Sequence, residues 1–240
     1  IDVDTASYTM ARNYMQRGYL PPAESVRTEE FVNFFDYAYK PPIGSTFKIY
    51  TECADSKFGR GLQMLKIGVK GRRIGREEQQ GAILTFVVDT SGSMGTPNRL
   101  GLVKKSLRML VENLSPSDMV AIIQFGADAR IVMEHTPVSE KEQILGAIDK
   151  LQAEGFTNLE NAMDLAFERA ARVFKSGASN RILLCSDGAA NMGADAAETI
   201  LGRVEAYSKQ GIYCSVFGFG IGSYNDEILE ALADKGDGVY

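Results

Sequence analysis

From Ala82 onward, short apolar runs alternate with stretches whose apolar residues recur at helical spacing, and this alternation constrains the fold more than any other feature of the chain. The runs Ala82 to Val88, Met119 to Phe125, Ala129 to Met133, Arg181 to Cys185 and Ile212 to Phe217 are too short for helices and rich in β-branched residues, which suits buried strands. Between them lie amphipathic stretches. Leu100, Val103, Leu107, Leu110 and Leu114 form one stripe, opened by Thr96-Pro97 as an N-cap and first-turn pair. Others cover Ser139 to Leu151, Leu159 to Phe174, Asp195 to Lys209 and Asn225 to Ala233. Strands alternating with helices predict an α/β fold: a doubly wound, mostly parallel, Rossmann-like sheet with helices on both faces and right-handed crossovers. The connection Gly126-Ala127-Asp128 is too short for a crossover, so Ala129 to Met133 is expected as an antiparallel edge strand.

Residues 1–80 read differently and are expected to form a small α+β module packing on the main domain of residues 81–240. Thr5 to Met15 suits a short helix, stopped by Gly18 and Pro21-Pro22, and a second is predicted from Ser25 to Phe35 with Val26, Phe31, Phe34 and Phe35 near one face. Two strand-like runs, Phe47 to Cys53 and Gln63 to Val69, read as a hairpin or an extension of the main sheet. The basic residues Lys66, Lys70, Arg72, Arg73 and Arg76 suit a solvated loop better than a phosphate or anionic-lipid patch, because Glu77 and Glu78 follow at once.

The charge of -5, from 26 Lys+Arg against 31 Asp+Glu, speaks against a nucleic-acid partner. No apolar run approaches the ~20 residues of a transmembrane helix. The chain starts without Met and ends at Gly238-Val239-Tyr240 in what reads as the start of a strand, so it is expected to be an excised fragment. Cys53, Cys185 and Cys214 lack zinc or redox spacing. Cys185 and Cys214 suit reduced core positions, with a bridge between neighbouring strands geometrically demanding. The single histidine, His135, is expected in a solvated loop, which leaves none for a His-based triad, and one histidine with no Cys cluster excludes a His-ligated zinc site.

The first strand of the alternating region delivers its carboxyl end to Asp89-Thr90-Ser91-Gly92-Ser93. In a chain that stays extended, residues two apart point the same way, so Asp89, Ser91 and Ser93 would share one side. A carboxylate and two hydroxyls are hard oxygen donors suited to Mg²⁺, Mn²⁺ or Ca²⁺. The same pentapeptide also suits a turn that caps a following helix, and the choice depends on whether more oxygen donors return to the same place. In doubly wound folds ligands sit beyond the carboxyl ends of the strands where strand order reverses. Asp187 falls at such an end, and Thr157, in Gly155-Phe156-Thr157-Asn158 before a helix, can reach the same rim.

Asp89, Ser91, Ser93, Thr157 and Asp187, in this order and these strand contexts, resemble the metal-ion-dependent adhesion site of von Willebrand factor type A domains. The Asp-x-Ser-x-Ser core is intact, the Thr lies in a Gly-Phe-Thr-Asn loop like the family's Gly-Gly-Thr-Asn, and Ser-Asp-Gly stands close to the usual Thr-Asp-Gly. The amino-terminal part, with Asp2-Val3-Asp4-Thr5-Ala6-Ser7-Tyr8, Leu20-Pro21-Pro22, Val26-Arg27, Glu29-Glu30 and Phe35-Asp36-Tyr37, is similar to bacterial YfbK-like proteins that carry this domain. The resemblance implies direct hydroxyl ligation by Ser91, Ser93 and Thr157, with Asp89 and Asp187 acting mostly through water. It implies a divalent cation, Mg²⁺ first and Mn²⁺ or Ca²⁺ next, whose open position accepts an Asp or Glu carboxylate of a protein partner. It also implies a cell-envelope setting, with an export or lipoprotein signal in the full-length protein, although the cysteines leave the compartment open to a cytoplasmic location, and it implies movement of the last helix after Gly222.

Two other readings stand beside this one. A Mg²⁺-dependent hydrolase of phosphate esters would want a second acidic residue where Ser91 stands, a clamping lysine and a tuned base, and Glu154 and Glu160 read better as solvated charges. Gly-x-Ser-x-Gly is absent, and Gly218, Gly220 and Gly222 lack dinucleotide spacing. The other is a metal-independent structural scaffold.

Overall fold

The computed structural model describes residues 5–75, 80–126, 128–155, 158–188, 194–220 and 226–240. The chain divides into two compact units, with the boundary between residues 79 and 80.

In the first unit, helix α1 (Ala6–Gln16) is followed by a single 3-10 turn (Ala23–Ser25) and helix α2 (Thr28–Phe34). The single helix expected from Ser25 is thus broken at Val26 and Arg27, whose extended backbone leaves the helical region. Tyr8 gathers the aromatic residues, with ring centroids 5.4 Å from Phe31, 4.2 Å from Phe34 and 5.1 Å from Phe35. The buried Glu30 carboxylate accepts from Ser7 N at 2.8 Å, placing a negative charge at the positive end of α1. Strands β1 (Phe47–Asp55) and β2 (Gln63–Gly71) pair antiparallel as a separate two-stranded sheet, from Phe47 opposite Gly71 to Asp55 opposite Gln63. They do not extend the main sheet. Lys66 and Lys70 stand within β2 and not in a loop, and Lys66 pairs with Glu52 at 2.8 Å while lying over the rings of Tyr37 and Tyr39. Among the described residues of this unit, Ala11 is the one apolar side chain counted in the buried core, so stacked rings and hydrogen bonds carry the order.

The second unit is built on a five-stranded sheet. Its elements are β3 (Ala82–Asp89), α3 (Leu100–Asn113), β4 (Met119–Phe125), β5 (Ala129–Pro137), α4 (Lys141–Asp149), α5 (Leu159–Arg172), β6 (Ser179–Ser186), α6 (Ala194–Ser208), β7 (Ile212–Gly218) and α7 (Asp226–Lys235). The order is β5-β4-β3-β6-β7, parallel except for the β4–β5 edge pair. Residues at alternate positions of β3 enter opposite cores, as the period of a strand requires. Leu84, Phe86 and Val88 pack with Val103, Leu107, Val111 and Ile144 on one face. Val87 packs with Met163, Phe167, Val204 and Leu229 on the other. After α7 the chain returns to β7 without forming a strand: Cys214 N donates to Gly236 O and Val216 N to Val239 O, each at 2.9 Å.

Two expectations are corrected, and the core placement of two cysteines is as expected. Helix α3 begins at Leu100 with Arg99 at its N-cap, because Thr96 and Pro97 belong to the preceding turn, where Thr96 Oγ1 donates to Ser93 O at 3.0 Å. His135 lies inside β5, which runs four residues further than its apolar run, and its Nε2 is 3.0 Å from Oγ1 of the fully buried Thr85. Cys185 and Cys214 are free thiols in opposite cores, on the two faces of the sheet, so no bridge joins them.

Candidate metal centre

Strand order reverses at β3, the middle strand: the chain goes first to β4 and β5 on one side and then to β6 and β7 on the other. The crevice this creates lies beyond the carboxyl ends of β3 and β6. Asp89 is the last residue of β3 and Asp187 follows the last residue of β6, so the two predicted carboxylates flank it.

Asp89 is fully buried, yet it is not abandoned. Its Oδ1 accepts from Ser91 N at 2.9 Å and its Oδ2 accepts from Ser186 Oγ at 2.7 Å. Burial raises its carboxyl above the usual carboxylate range; the bonds from Ser91 and Ser186 oppose that shift, and the neighbouring Asp187 charge adds to it. The bond to Ser91 N turns the chain two residues on, and residues Gly92–Gly95 form a 3-10 turn. The two serine hydroxyls therefore converge through a turn, not through the extended alternation expected, and they meet: Ser91 Oγ and Ser93 Oγ are 3.1 Å apart.

Backbone bonds bring the neighbouring loop alongside. Glu154 N donates to Thr90 O at 2.6 Å and Gly92 N to Gly155 O at 3.0 Å. Thr90 is anchored in turn, its N and Oγ1 both donating to Phe125 O, at 2.7 and 3.0 Å. Residues Phe156 and Thr157 lie outside the described residues, as do residues 1–4, 76–79, 127, 189–193 and 221–225. Asn158 is the N-cap of α5, its side chain accepting from Asn161 N at 3.3 Å.

Two residues outside the predicted set enter the cluster. Ser186 ties β6 to Asp89, as above, and its Oγ also accepts from Gly188 N at 3.2 Å. Arg99 donates through Nη1 to Asp187 Oδ2 and to Ser93 O, the latter at 3.2 Å. A sequence signal for Arg99 exists: a cation at the start of a helix opposes the helix dipole unless a carboxylate sits beside it.

The donor set fits a hard divalent cation. Buried Asp89 receives its described hydrogen bonds from neutral donors only, and the two hydroxyls beside it have room to turn their lone pairs toward a common point. Among the described residues no group of three or more His, Cys, Asp or Glu is placed to hold a metal.

The family model "von Willebrand factor type A domain" matches residues 84–240, and a second model, "von Willebrand factor", matches residues 1–66. The chain belongs to the von Willebrand factor type A family. It is 37% identical over 248 residues to the uncharacterized protein YfbK of Escherichia coli strain K12, a match covering 100% of this chain and 43% of that protein. The chain thus spans under half the length of that relative. Among solved structures, the von Willebrand factor type A fold is shared with an aerotolerance-related membrane protein from Bacteroides fragilis (TM-score 0.56, 23% identity, 67% of this chain and 90% of that one). It is shared also with the manganese-loaded TRAP protein of Plasmodium vivax (TM-score 0.55, 20% identity, 78% and 67% covered).

Proposed function

We propose that this protein is a metal-dependent protein-binding module whose cation is held by Ser91, Ser93 and Thr157 through hydroxyls and by Asp89 and Asp187 through bound water. The observation that carries the reading is the meeting of Ser91 Oγ and Ser93 Oγ beside the buried Asp89 carboxylate, at the switch point of the sheet. Mg²⁺ is the cation of choice, since it takes six oxygens and keeps waters readily. When bound, it supplies a Lewis-acidic position for a carboxylate of a protein partner. The chain's own part is to hold the hydroxyls in place through the Asp89–Ser91 turn and to supply negative charge from two buried side chains. Binding of this kind breaks no covalent bond. The metal in the TRAP structure supports a divalent cation, and the membrane protein from Bacteroides fragilis supports an envelope setting, in which a lipoprotein anchor in the full-length protein is part of the proposal.

Calorimetric titration of metal-stripped protein with Mg²⁺, Mn²⁺ and Ca²⁺ tests it. One ion is expected to bind the wild type, and none to bind Asp89→Ala or the double variant Ser91→Ala/Ser93→Ala. Unchanged binding in those variants would place the cation elsewhere.

A further inference from the structure

Arg99 has no part in the reading above, yet its guanidinium lies inside the cluster. It is bonded to Asp187 Oδ2 and to Ser93 O, and the Asp187 side chain is 0% exposed against 22% for Arg99. It also meets a third loop. Gly220, after β7, has φ +121, and a Cβ built there would come within 2.9 Å of Arg99 Nε, so the backbone passes directly against the guanidinium edge. One side chain thus touches the segments that follow β3, β6 and β7.

The charges make this arrangement consequential. Asp187 is compensated by a full positive charge, whereas the described donors to Asp89 are neutral groups. A divalent ion seated at Asp89, Ser91 and Ser93 would lie close to Arg99, and like charges a few ångströms apart repel strongly even at the effective dielectric of a protein surface. Asp187 is the carboxylate that Arg99 holds beside that position.

We propose that Arg99 is the resident countercharge of the metal centre: it holds Asp187 in the metal-free protein and competes with the divalent cation for that carboxylate. Metal entry then draws Asp187 away from the guanidinium and loosens the contact with Gly220. With metal and Arg99 both present, the centre carries positive charge in excess, which an anionic partner group neutralises. The inference rests on the metal-dependent reading of the same site.

Mg²⁺ calorimetry on the 240-residue chain and its Arg99→Gln and Arg99→Lys variants tests it, together with thermal unfolding in chelator of Arg99→Gln, Asp187→Asn and the double variant. Arg99→Gln is expected to bind Mg²⁺ about tenfold more tightly than the wild type. Arg99→Lys, which keeps a charge but loses the planar fork, is expected to fall between them. In chelator the two substitutions are expected to be non-additive, as partners in one ion pair are. Equal or weaker Mg²⁺ binding by folded Arg99→Gln, or additive effects in chelator, overturns the competition while leaving the metal site standing. If Arg99→Gln does not fold, equal or weaker binding by Arg99→Lys overturns it. Failure of wild type and variants alike to bind Mg²⁺ overturns both readings, and binding by Arg99→Gln alone supports the competition.

Discussion

Ser186 Oγ donates to Asp89 Oδ2 at 2.7 Å, joining the last residue of β6 to the last residue of β3 across the crevice of the sheet. This bond fixes the orientation of a carboxylate whose other oxygen is held by Ser91 N, so it preorganises the turn that carries both serine hydroxyls. Ser186→Ala is expected to lower the stability of the metal-stripped protein by about 1–3 kcal/mol, the cost of leaving a buried charged acceptor short of a donor. Groups that orient metal ligands also matter for affinity, typically ~10–100-fold. Calorimetry with Mg²⁺ should show a loss in that range, and an unchanged affinity would mean that Asp89 is held well enough without Ser186.

A second pairing sets a pH dependence. Burial pushes His135 down to about 4 from an ordinary 6.5, and its Nε2 faces Thr85 Oγ1 at 3.0 Å. Between those two values the unfolded chain takes up a proton that the folded protein refuses. This contribution is therefore intact above about pH 6.5 and is lost as the pH falls toward about 4. Asp89 works in the opposite direction: its raised carboxyl lets the folded state keep a proton longer as the pH rises above the usual carboxylate value. Urea midpoints measured at about pH 7.5 and about pH 5 should differ less in His135→Gln than in the wild type, because the amide keeps a partner for Thr85 without titrating.

The strands of the second unit were legible because each apolar run is bounded by polar or small residues and is sheathed on both faces, so hydrophobicity and boundary coincide. β5 shows where that fails. Its outer part, Glu134 to Pro137, is partly polar and sits at an edge, and an edge strand needs no apolar run, which is why His135 reads as a loop residue in the sequence. Asp89 and Asp187 were legible as carboxylates at strand ends. Ser186 was not, because its partner lies 97 residues away, and Arg99 was legible only as a cation at the start of a helix, the carboxylate it meets lying 88 residues away, a separation that no local pattern encodes. The first unit was harder for a related reason. Helix α2 and the hairpin bury little, and burial is what makes periodicity visible.

The thiols should separate cleanly by reactivity. Cys53 is exposed, while Cys185 and Cys214 are buried and pushed up to about 12, so neither forms thiolate at neutral pH. Native protein is expected to react with a chromogenic disulfide reagent at one thiol within minutes and at all three only in denaturant. Removing Cys53 by Cys53→Ser should abolish the fast phase. A second fast thiol in the native protein would mean that one of the two cores opens far more readily than its packing implies.

In the first unit, Tyr39 stacks between Tyr37 and Tyr50, with ring centroids 5.7 and 4.7 Å away, and it does so directly over Gly68 of β2. A Cβ built on Gly68 would come 2.4 Å from the Tyr39 ring, closer than any real contact, so the ring would have to leave. Leaving breaks both stacks and uncovers the strand, and Lys66, which lies over Tyr37 and Tyr39, loses its aromatic faces with them. Among the described residues of this unit only Ala11 is a buried apolar side chain, so there is little core to restore that order. Gly68→Ala is accordingly expected to reduce the near-ultraviolet dichroism of the tyrosines and to destabilise the hairpin by about 1–3 kcal/mol, the range for forcing extra bulk into a packed contact. Mg²⁺ affinity, assigned by the proposal to residues of the other unit, should stay at the wild-type value in the same variant. A Gly68→Ala protein with unaltered tyrosine signals would show that the stack is not what orders the hairpin.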